Sequence, residues 1–89
     1  MDIEFSVGDI VKSLSGHDKN RLFIVTSIDK NGYLDIIDGK YRTMDKPKKK
    51  NSRHLIKVGH DDDIIKKINS SLATNTEIYK MIKVYMVKE

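Results

Sequence analysis

An Asn-Gly pair at residues 31–32 lies between two short apolar segments and constrains the fold more than any other feature of the chain. The segment before it, RLFIVTSID at 21–29, is rich in the β-branched and aromatic side chains that favour strands. The segment after it, YLDIID at 33–38, is also largely apolar. Because Asn and Gly both accept a positive φ angle, they suit the tight turn of a β-hairpin. The pattern therefore predicts that these two segments pair as antiparallel strands.

Three more short strands are predicted, at residues 7–14, 40–44 and 54–58. In the first of them, Ile10 and Leu14 lie on one face and Val11 on the other. The polar cluster SGHDKN then forms a turn, and an Asp-Gly pair at 38–39 indicates a second tight hairpin before the fourth strand. The fifth strand ends at Gly59. Five short strands joined by tight turns are typical of a small antiparallel barrel.

Two helices are predicted after the barrel. Apolar residues recur at helical spacing in each, namely Ile64, Ile65, Ile68 and Leu72 in the first and Ile78, Met81, Ile82 and Tyr85 in the second. Three aspartates at 61–63 stand at the start of the first helix, where the helix dipole favours negative charge. Thr74 and Glu77 have the spacing of a capping box before the second.

Length and composition limit the classes of protein. A chain of 89 residues has one modest core, so we expect a barrel over residues 1–60 and a helical extension over residues 61–89, packed on the barrel or beside it. Cysteine is absent, which excludes disulfides and thiolate metal sites and favours a reducing compartment. The N-terminal MDIEFSVGD lacks the basic and apolar regions of a secretory signal, so a cytoplasmic location is expected.

Positive charge is concentrated in one stretch. The net charge is +4, and residues 40–57 contain eight Lys or Arg residues against a single acid, Asp45. Such a stretch attracts polyanions, either nucleic acid or an anionic membrane surface. Pro47 favours an extended backbone at Lys46, which predicts that the lysine run is an extended arm between the fourth and fifth strands. The alternative interpretation is a solvated loop without a partner.

Residues 7–25, VGDIVKSLSGHDKNRLFIV, resemble a KOW motif, which has a strand, a basic loop with a glycine, and a second apolar strand. The matching residues are Gly8, Asp9, Val11, Leu14, Gly16 and Lys19. The family has a second glycine after the lysine, where this chain has Asn20. Asparagine tolerates the left-handed conformation well, so the resemblance implies a structural turn that depends on Gly8, Gly16 and Asn20.

The resemblance continues through the lysine run, the NSRHL segment at 51–55 and the TNTEIYKMI segment at 74–82. Over nearly its whole length the chain is similar to bacterial stand-alone KOW-domain RNA-binding proteins. These resemble the KOW-type ribosomal proteins of the archaeal and eukaryotic large subunit. The resemblance implies a mainly β, SH3-like antiparallel barrel that binds RNA, associates with the ribosome and acts in translation. The implied partners are RNA, first of all ribosomal RNA of the large subunit, and ribosomal proteins.

The implied RNA-binding residues are Lys19, Arg21, Lys40, Arg42, Lys46, Lys48, Lys49, Lys50, Arg53 and His54. Lysine ammonium groups neutralise phosphates and provide affinity without sequence preference. Arg42 and Arg53 suit defined contacts, because a planar guanidinium can bridge phosphate oxygens or stack on a base. Tyr33 and Tyr41 are candidates for stacking on unpaired bases, although core packing is favoured for Tyr33.

Other functions have weaker support in the sequence. The segment HDDD at 60–63 contains hard-metal ligands, but consecutive aspartates at a helix start are more simply capping residues. We find no pattern of nucleophile, acid and base, so we expect no enzyme activity, cofactor, metal, small-molecule substrate or membrane partner. KOW barrels of transcription elongation factors also contact polymerase or ribosomal proteins. That implies an alternative, a protein-interaction module that uses the barrel edge or the apolar C-terminal helix.

Overall fold

The computed structural model describes the backbone of residues 5–88 and the side chains of residues 5–87. Its elements are β1 Asp9–Ser13, β2 Leu22–Ile28, β3 Tyr33–Ile37, β4 Lys48–Asn51, β5 Leu55–His60, α1 Asp62–Asn69 and α2 Asn75–Lys88. A short 3₁₀ turn, Ser52–His54, joins β4 to β5. Residues 1–4, in which no secretory signal is expected, and Glu89 lie outside the described residues.

The strands form one antiparallel sheet in the order β4-β3-β2-β1-β5. Strand β1 pairs with both β2 and β5, so that Val11 lies opposite Phe23 on one side and Lys57 on the other. Register irregularities next to Val11 and Val25 bend the sheet. The predicted mainly β architecture is confirmed: the molecule has a small SH3/KOW-like fold followed by helices.

Both faces of the central strands are buried. The face that the curved sheet encloses carries Val11, Phe23, Val25, Leu34, Ile36 and Leu55. The opposite face carries Ile10, Leu22, Ile24 and Ile37, which pack with Ile64, Ala73, Ile78 and Ile82 of the helical region. Neighbours such as Ile10 and Val11 enter different clusters because side chains alternate across a strand. Residues 22–25 form a continuous apolar run because this strand is covered on both faces.

Helix α2 approaches the barrel closely at two glycines, one in the loop after β3 and one in β5. A Cβ atom at Gly39 would lie 2.7 Å from the amide nitrogen of Tyr79 and would also contact the Asn75 carbonyl oxygen. At Gly59, which lies within β5, the Tyr85 ring occupies the space that a side chain would need. The apolar stripe predicted for this helix therefore packs on the barrel, with Ile78 and Ile82 buried and Met81 and Tyr85 partly buried.

The fourth strand differs from the prediction. Residues 40–44 form a loop, and Lys48–Asn51 pairs with β3 instead, with Lys50 opposite Leu34. The predicted tight hairpin at 38–39 is therefore wrong, because β3 and β4 are joined by a longer loop. The extended arm predicted for the lysine run is also wrong, since that run is the strand.

Asp38 explains why the loop does not continue as a strand. One of its carboxylate oxygens accepts hydrogen bonds from the backbone amides of Lys40, Tyr41 and Arg42, each at 2.9 Å. Aspartate commonly binds the amides that follow it in this way and so favours turns over ladders. These three amides are then unavailable to a neighbouring strand.

The starts of both helices agree with the sequence analysis. The Asp61 carboxylate accepts a hydrogen bond from the Ile64 amide, and the Thr74 hydroxyl accepts one from the Glu77 amide, both at 3.1 Å. Asp61 thus caps the helix, as favoured, and Asp62 and Asp63 lie in its first turn. Leu72 departs from the prediction, since α1 ends before it and it is 70% exposed.

Within residues 5–88, no helix has the length and apolar character needed to span a membrane.

Candidate nucleic-acid interface

The lysines of β4 alternate between the exterior and the interior of the barrel. Lys49 is exposed, whereas the side chain of Lys50 is only 9% exposed. The Lys50 ammonium group donates hydrogen bonds of 2.7 Å to the Ser13 hydroxyl, the Ser15 carbonyl and the Asp18 carboxylate. All three ammonium protons are therefore used within the protein. Lys50 stabilises the fold, and a basic surface has to be built from other residues.

Asp18 links the KOW-like loop to β4. One of its carboxylate oxygens accepts a hydrogen bond from the Ser13 hydroxyl at 2.7 Å, and the other lies 2.9 Å from the Lys48 ammonium group. Burial raises the pKa of Asp18, but hydrogen bonds from Lys48, Lys50 and Ser13 outweigh it and bring the pKa well below its ordinary value of 3.8. Two of the implied RNA-binding lysines therefore neutralise one internal carboxylate.

The loop that carries Asp18 has the backbone angles that the resemblance implies. Gly16 has a φ angle of 84° and Asn20 one of 71°. The Asn20 amide also donates a hydrogen bond to the Ser13 carbonyl oxygen at 2.8 Å, which closes the loop onto the end of β1. Asn20 thus adopts a left-handed conformation within this turn. Gly8 has a φ angle of 99° and leaves space for Ile65 of α1.

Exposed cations surround two tyrosines beside this loop. The Arg21 guanidinium carbon lies 4.2 Å from the centroid of the Tyr41 ring, within cation–π distance. The Lys40 ammonium lies 5.1 Å from the same centroid and 5.4 Å from that of Tyr79, over which Lys83 also lies at 4.9 Å. Tyr41 is 60% exposed. We call the stacked pair of Arg21 and Tyr41 the Tyr41 platform.

Two clefts meet at the Tyr41 platform, and Asp38 also lines both of them. The polar cleft, of about 280 Å³, is completed by His17, Asp18, Phe23, Arg42 and Lys48. The apolar cleft, of about 170 Å³, is completed by Leu22, Tyr79, Ile82 and Met86. Tyr41 is therefore a wall of each cleft and is accessible from both.

The acids of the polar cleft are already bound within the protein. Asp18 is paired with the two β4 lysines, and one oxygen of Asp38 accepts three backbone amides. The guanidinium groups of Arg21 and Arg42 are on exposed residues. The cleft can therefore attract an anion even though its lining contains two carboxylates.

The remaining implied residues lie in different places. Lys19 and Lys46 are exposed in loops, whereas Arg53 and His54 are exposed in the 3₁₀ turn. That turn is bound to the β2–β3 hairpin by a 2.9 Å hydrogen bond from the Ser52 amide to the Gly32 carbonyl oxygen. The structure thus brings Arg21, Arg42 and Lys48 into one cleft, and Arg53 and His54 do not line it.

Several residues of this region are absent from the sequence-based set. His17 and Tyr79 line the clefts, and Asp18 organises the lysines, yet none of them has a distinctive sequence pattern. The prediction that Tyr33 belongs to the core is wrong, because it is 40% exposed. The local signal that could have located the Tyr41 loop is Asp38, which precedes three residues whose amides it binds.

His60 forms a second polar cluster, between the barrel and α1. Its Nδ1 lies 2.7 Å from the buried carboxylate of Asp9, and its Nε2 contacts the carboxylate of Asp62. Hydrogen bonding to Asp62, and then to Asp9, raises the pKa of His60 above its ordinary value of 6.5. Lys57 also lies 3.3 Å from Asp9.

No cluster suited to a metal ion occurs among the residues that the structure describes.

Comparison with solved structures supports the fold. The chain superimposes on a chain of the crystal structure of the MjSpt4:Spt5 complex, conformation B, with a TM-score of 0.52 and 20% sequence identity. The match covers 70% of this chain and 43% of that one, so this chain spans less than half of its neighbour. No protein-family model matches the sequence, and no curated protein matches it. The similarity therefore shows an SH3/KOW-like fold, and the resemblance to ribosomal proteins stays a prediction.

Proposed function

We propose that this chain is a non-enzymatic RNA-binding module whose contact surface is the Tyr41 platform and the polar cleft beside it. The observation that carries the proposal is the exposed Arg21–Tyr41 stack, with Arg42 in the same cleft and the acids of that cleft already bound. Basic groups interleaved with exposed aromatic rings are typical of RNA-binding surfaces. The resemblance to KOW-type ribosomal proteins makes ribosomal RNA of the large subunit the first target to test.

The internal ion pairs change which residues supply affinity. Lys50 is buried and Lys48 is paired with Asp18, so neither is the main source of charge for a partner. Lys40 lies against two tyrosine rings and is exposed, and its ammonium group is cationic at neutral pH. The proposed contacts come from Arg21, Lys40 and Arg42, whose loops are fixed by the backbone hydrogen bonds of Asp18 and Asp38.

Co-sedimentation with purified large ribosomal subunits tests the proposal. The double variant Arg21→Glu, Arg42→Glu should lose binding, since it reverses the charge of the polar cleft. The matched control is Lys66→Glu, Lys80→Glu, which makes the same change in net charge at exposed residues of α1 and α2. The control should bind almost as well as the wild type, because its charges lie away from the cleft. Equal loss in both variants would mean that only net charge matters.

Salt dependence provides a second test. Binding through about four phosphates should weaken about 100-fold between 50 and 200 mM salt, because each contact releases condensed counterions. Affinity that is unchanged over this range would contradict the proposed mode of binding.

A second candidate function is a protein-interaction module, which the structural comparison favours over RNA binding. The structural neighbour is a chain of a complex between two named proteins, Spt4 and Spt5. In the present chain, β5 is an edge strand on which Ile56 and Val58 are exposed. An interface there would be largely apolar and would persist at 200 mM salt. An Ile56→Glu, Val58→Glu variant that abolishes subunit binding, with the polar cleft intact, would support this candidate.

A further inference from the structure

We propose that the two clefts at Tyr41 bind one unpaired nucleotide of an RNA, with its base in the apolar cleft and its phosphate in the polar cleft. This inference rests on the proposed RNA-binding function and specifies the ligand of that site. It assigns a role to the apolar cleft, which a surface that only neutralises phosphates would not need.

The position of Tyr41 is determined by its loop before any ligand arrives. The Tyr41 amide donates a 2.9 Å hydrogen bond to Asp38, whose carboxylate also binds the two neighbouring amides. Asp38 itself is 5% exposed and so is anchored in the protein. Arg21 lies against the ring at 4.2 Å. A ring held in this way stacks on a base at little cost in conformational entropy.

The two sides of the platform differ in chemistry. On the apolar side, the exposed Met86 offers carbon atoms to a planar base and Tyr79 adds a second ring, above the buried Leu22 and Ile82. On the polar side, Arg42 offers a guanidinium group, and His17 adds a ring nitrogen. A nucleotide has the same division, with an apolar π face on its base and an anionic phosphate. Tyr41 lines both clefts and provides the ring on which the base would stack.

A paired base cannot use this arrangement. In an RNA duplex both faces of each base are stacked within the helix, and only groove edges, 2′-hydroxyls and phosphates are accessible. The ligand must therefore present an unpaired base, as a hairpin loop, a bulge or a single strand does. Regular duplex RNA would contact only the polar cleft.

The test uses two synthetic RNAs of equal length and charge, a hairpin with 2-aminopurine in its loop and a fully paired duplex. Wild-type protein should bind the hairpin at least about 10-fold more tightly and should change the fluorescence of the 2-aminopurine through stacking. Tyr41→Leu should weaken hairpin binding by about 5- to 150-fold, given what one stacked base contributes, and so should remove most of the preference for the hairpin over the duplex. Tyr41→Phe should retain binding, because it keeps the ring. Since Tyr41 is 60% exposed, these variants should keep the wild-type circular dichroism.

The other possible results of these binding measurements separate failure of the inference from failure of the proposed function. Equal affinity for the two RNAs, or a hairpin preference that survives Tyr41→Leu, overturns the inference and leaves the proposed RNA-binding function standing. Failure of the wild type to bind either these RNAs or ribosomal subunits at 50 mM salt overturns the proposed function, and the inference with it. Measurement of 2-aminopurine fluorescence in the wild type needs no variant, so the inference can fail even if Tyr41→Leu does not fold.

Discussion

The ammonium group of Lys50 lies 2.7 Å from a carboxylate oxygen of Asp18, and both side chains are less than 10% exposed. The two residues are 32 positions apart, so the ion pair joins the loop after β1 to the strand β4. The same ammonium group also binds Ser13 and Ser15. This contact therefore fixes β4, which pairs with β3, to the loop that follows β1.

Replacement of Lys50 by alanine should lower the free energy of unfolding by about 3 kcal/mol, because it removes one of the two cationic partners of a buried carboxylate. Urea denaturation followed by circular dichroism measures the change. The matched control is Lys49→Ala. The Lys49 side chain is 61% exposed, so its removal should lower the free energy of unfolding by less than about 1 kcal/mol. Similar losses in both variants would show that Lys50 has no special structural role.

The stability of the protein should fall in acid through Asp18. Its pKa in the folded state lies below the ordinary 3.8, so the folded state binds fewer protons than the unfolded state in this range. The stabilisation is therefore fully present above pH 3.8 and is lost as the pH falls towards the lowered pKa. Urea denaturation at a series of pH values from 5 to 2 measures this dependence. An Asp18→Asn variant should be less stable at pH 5 and should show a smaller loss in acid.

His60 should produce a pH dependence of the opposite sign. Its folded-state pKa is raised above 6.5 by Asp62 and Asp9, so the protonated ring stabilises the fold. This stabilisation is complete below pH 6.5 and is lost as the pH rises through the raised pKa. NMR titration of the His60 ring, together with unfolding measured from pH 5 to 9, checks the prediction. A His60→Gln variant with an unchanged pH profile would contradict it.

Replacement of Gly39 by alanine should displace α2 from the barrel. The new Cβ would contact the backbone of Asn75 and Tyr79, and the φ angle of 82° adds strain. We expect a loss of at least about 3 kcal/mol, combining the cost of a left-handed alanine with that of overpacking. Gly32 is the matched control, because its φ angle is 86° but the nearest atom to an added Cβ is 3.6 Å away.

Gly32→Ala should therefore lower the free energy of unfolding by only about 1 kcal/mol, because the alanine must adopt a left-handed conformation but causes no overpacking. Chemical denaturation gives both values, and NMR shifts of the α2 amides report displacement of the helix. If the two variants lost equal stability, the close approach of α2 would not be the cause.

Most of the fold could be predicted because its signals are local. The predicted hairpin forms, although of its Asn-Gly pair only Gly32 has a positive φ angle, and the Asp29 carboxylate binds the amides of Asn31 and Tyr33. The left-handed angle at Asn20 is one that asparagine tolerates well. The Asp61 and Thr74 caps act on amides three positions away. The candidate site was less predictable. Arg21 and Arg42 were among the implied contacts, but their convergence on Tyr41 depends on two loops that are distant in sequence.

By itself, the sequence determined the strand-rich first part, the concentration of positive charge at residues 40–57 within it, and the helical second part. Those properties follow from turn propensity, side-chain periodicity and composition, which act over a few residues. Only the tertiary structure decided which charges face solvent. An isolated lysine is strongly solvated, so a run of lysines in a sequence predicts an exposed segment. Lys50 is buried because Asp18, brought next to it by the pairing of distant strands, compensates for the loss of water.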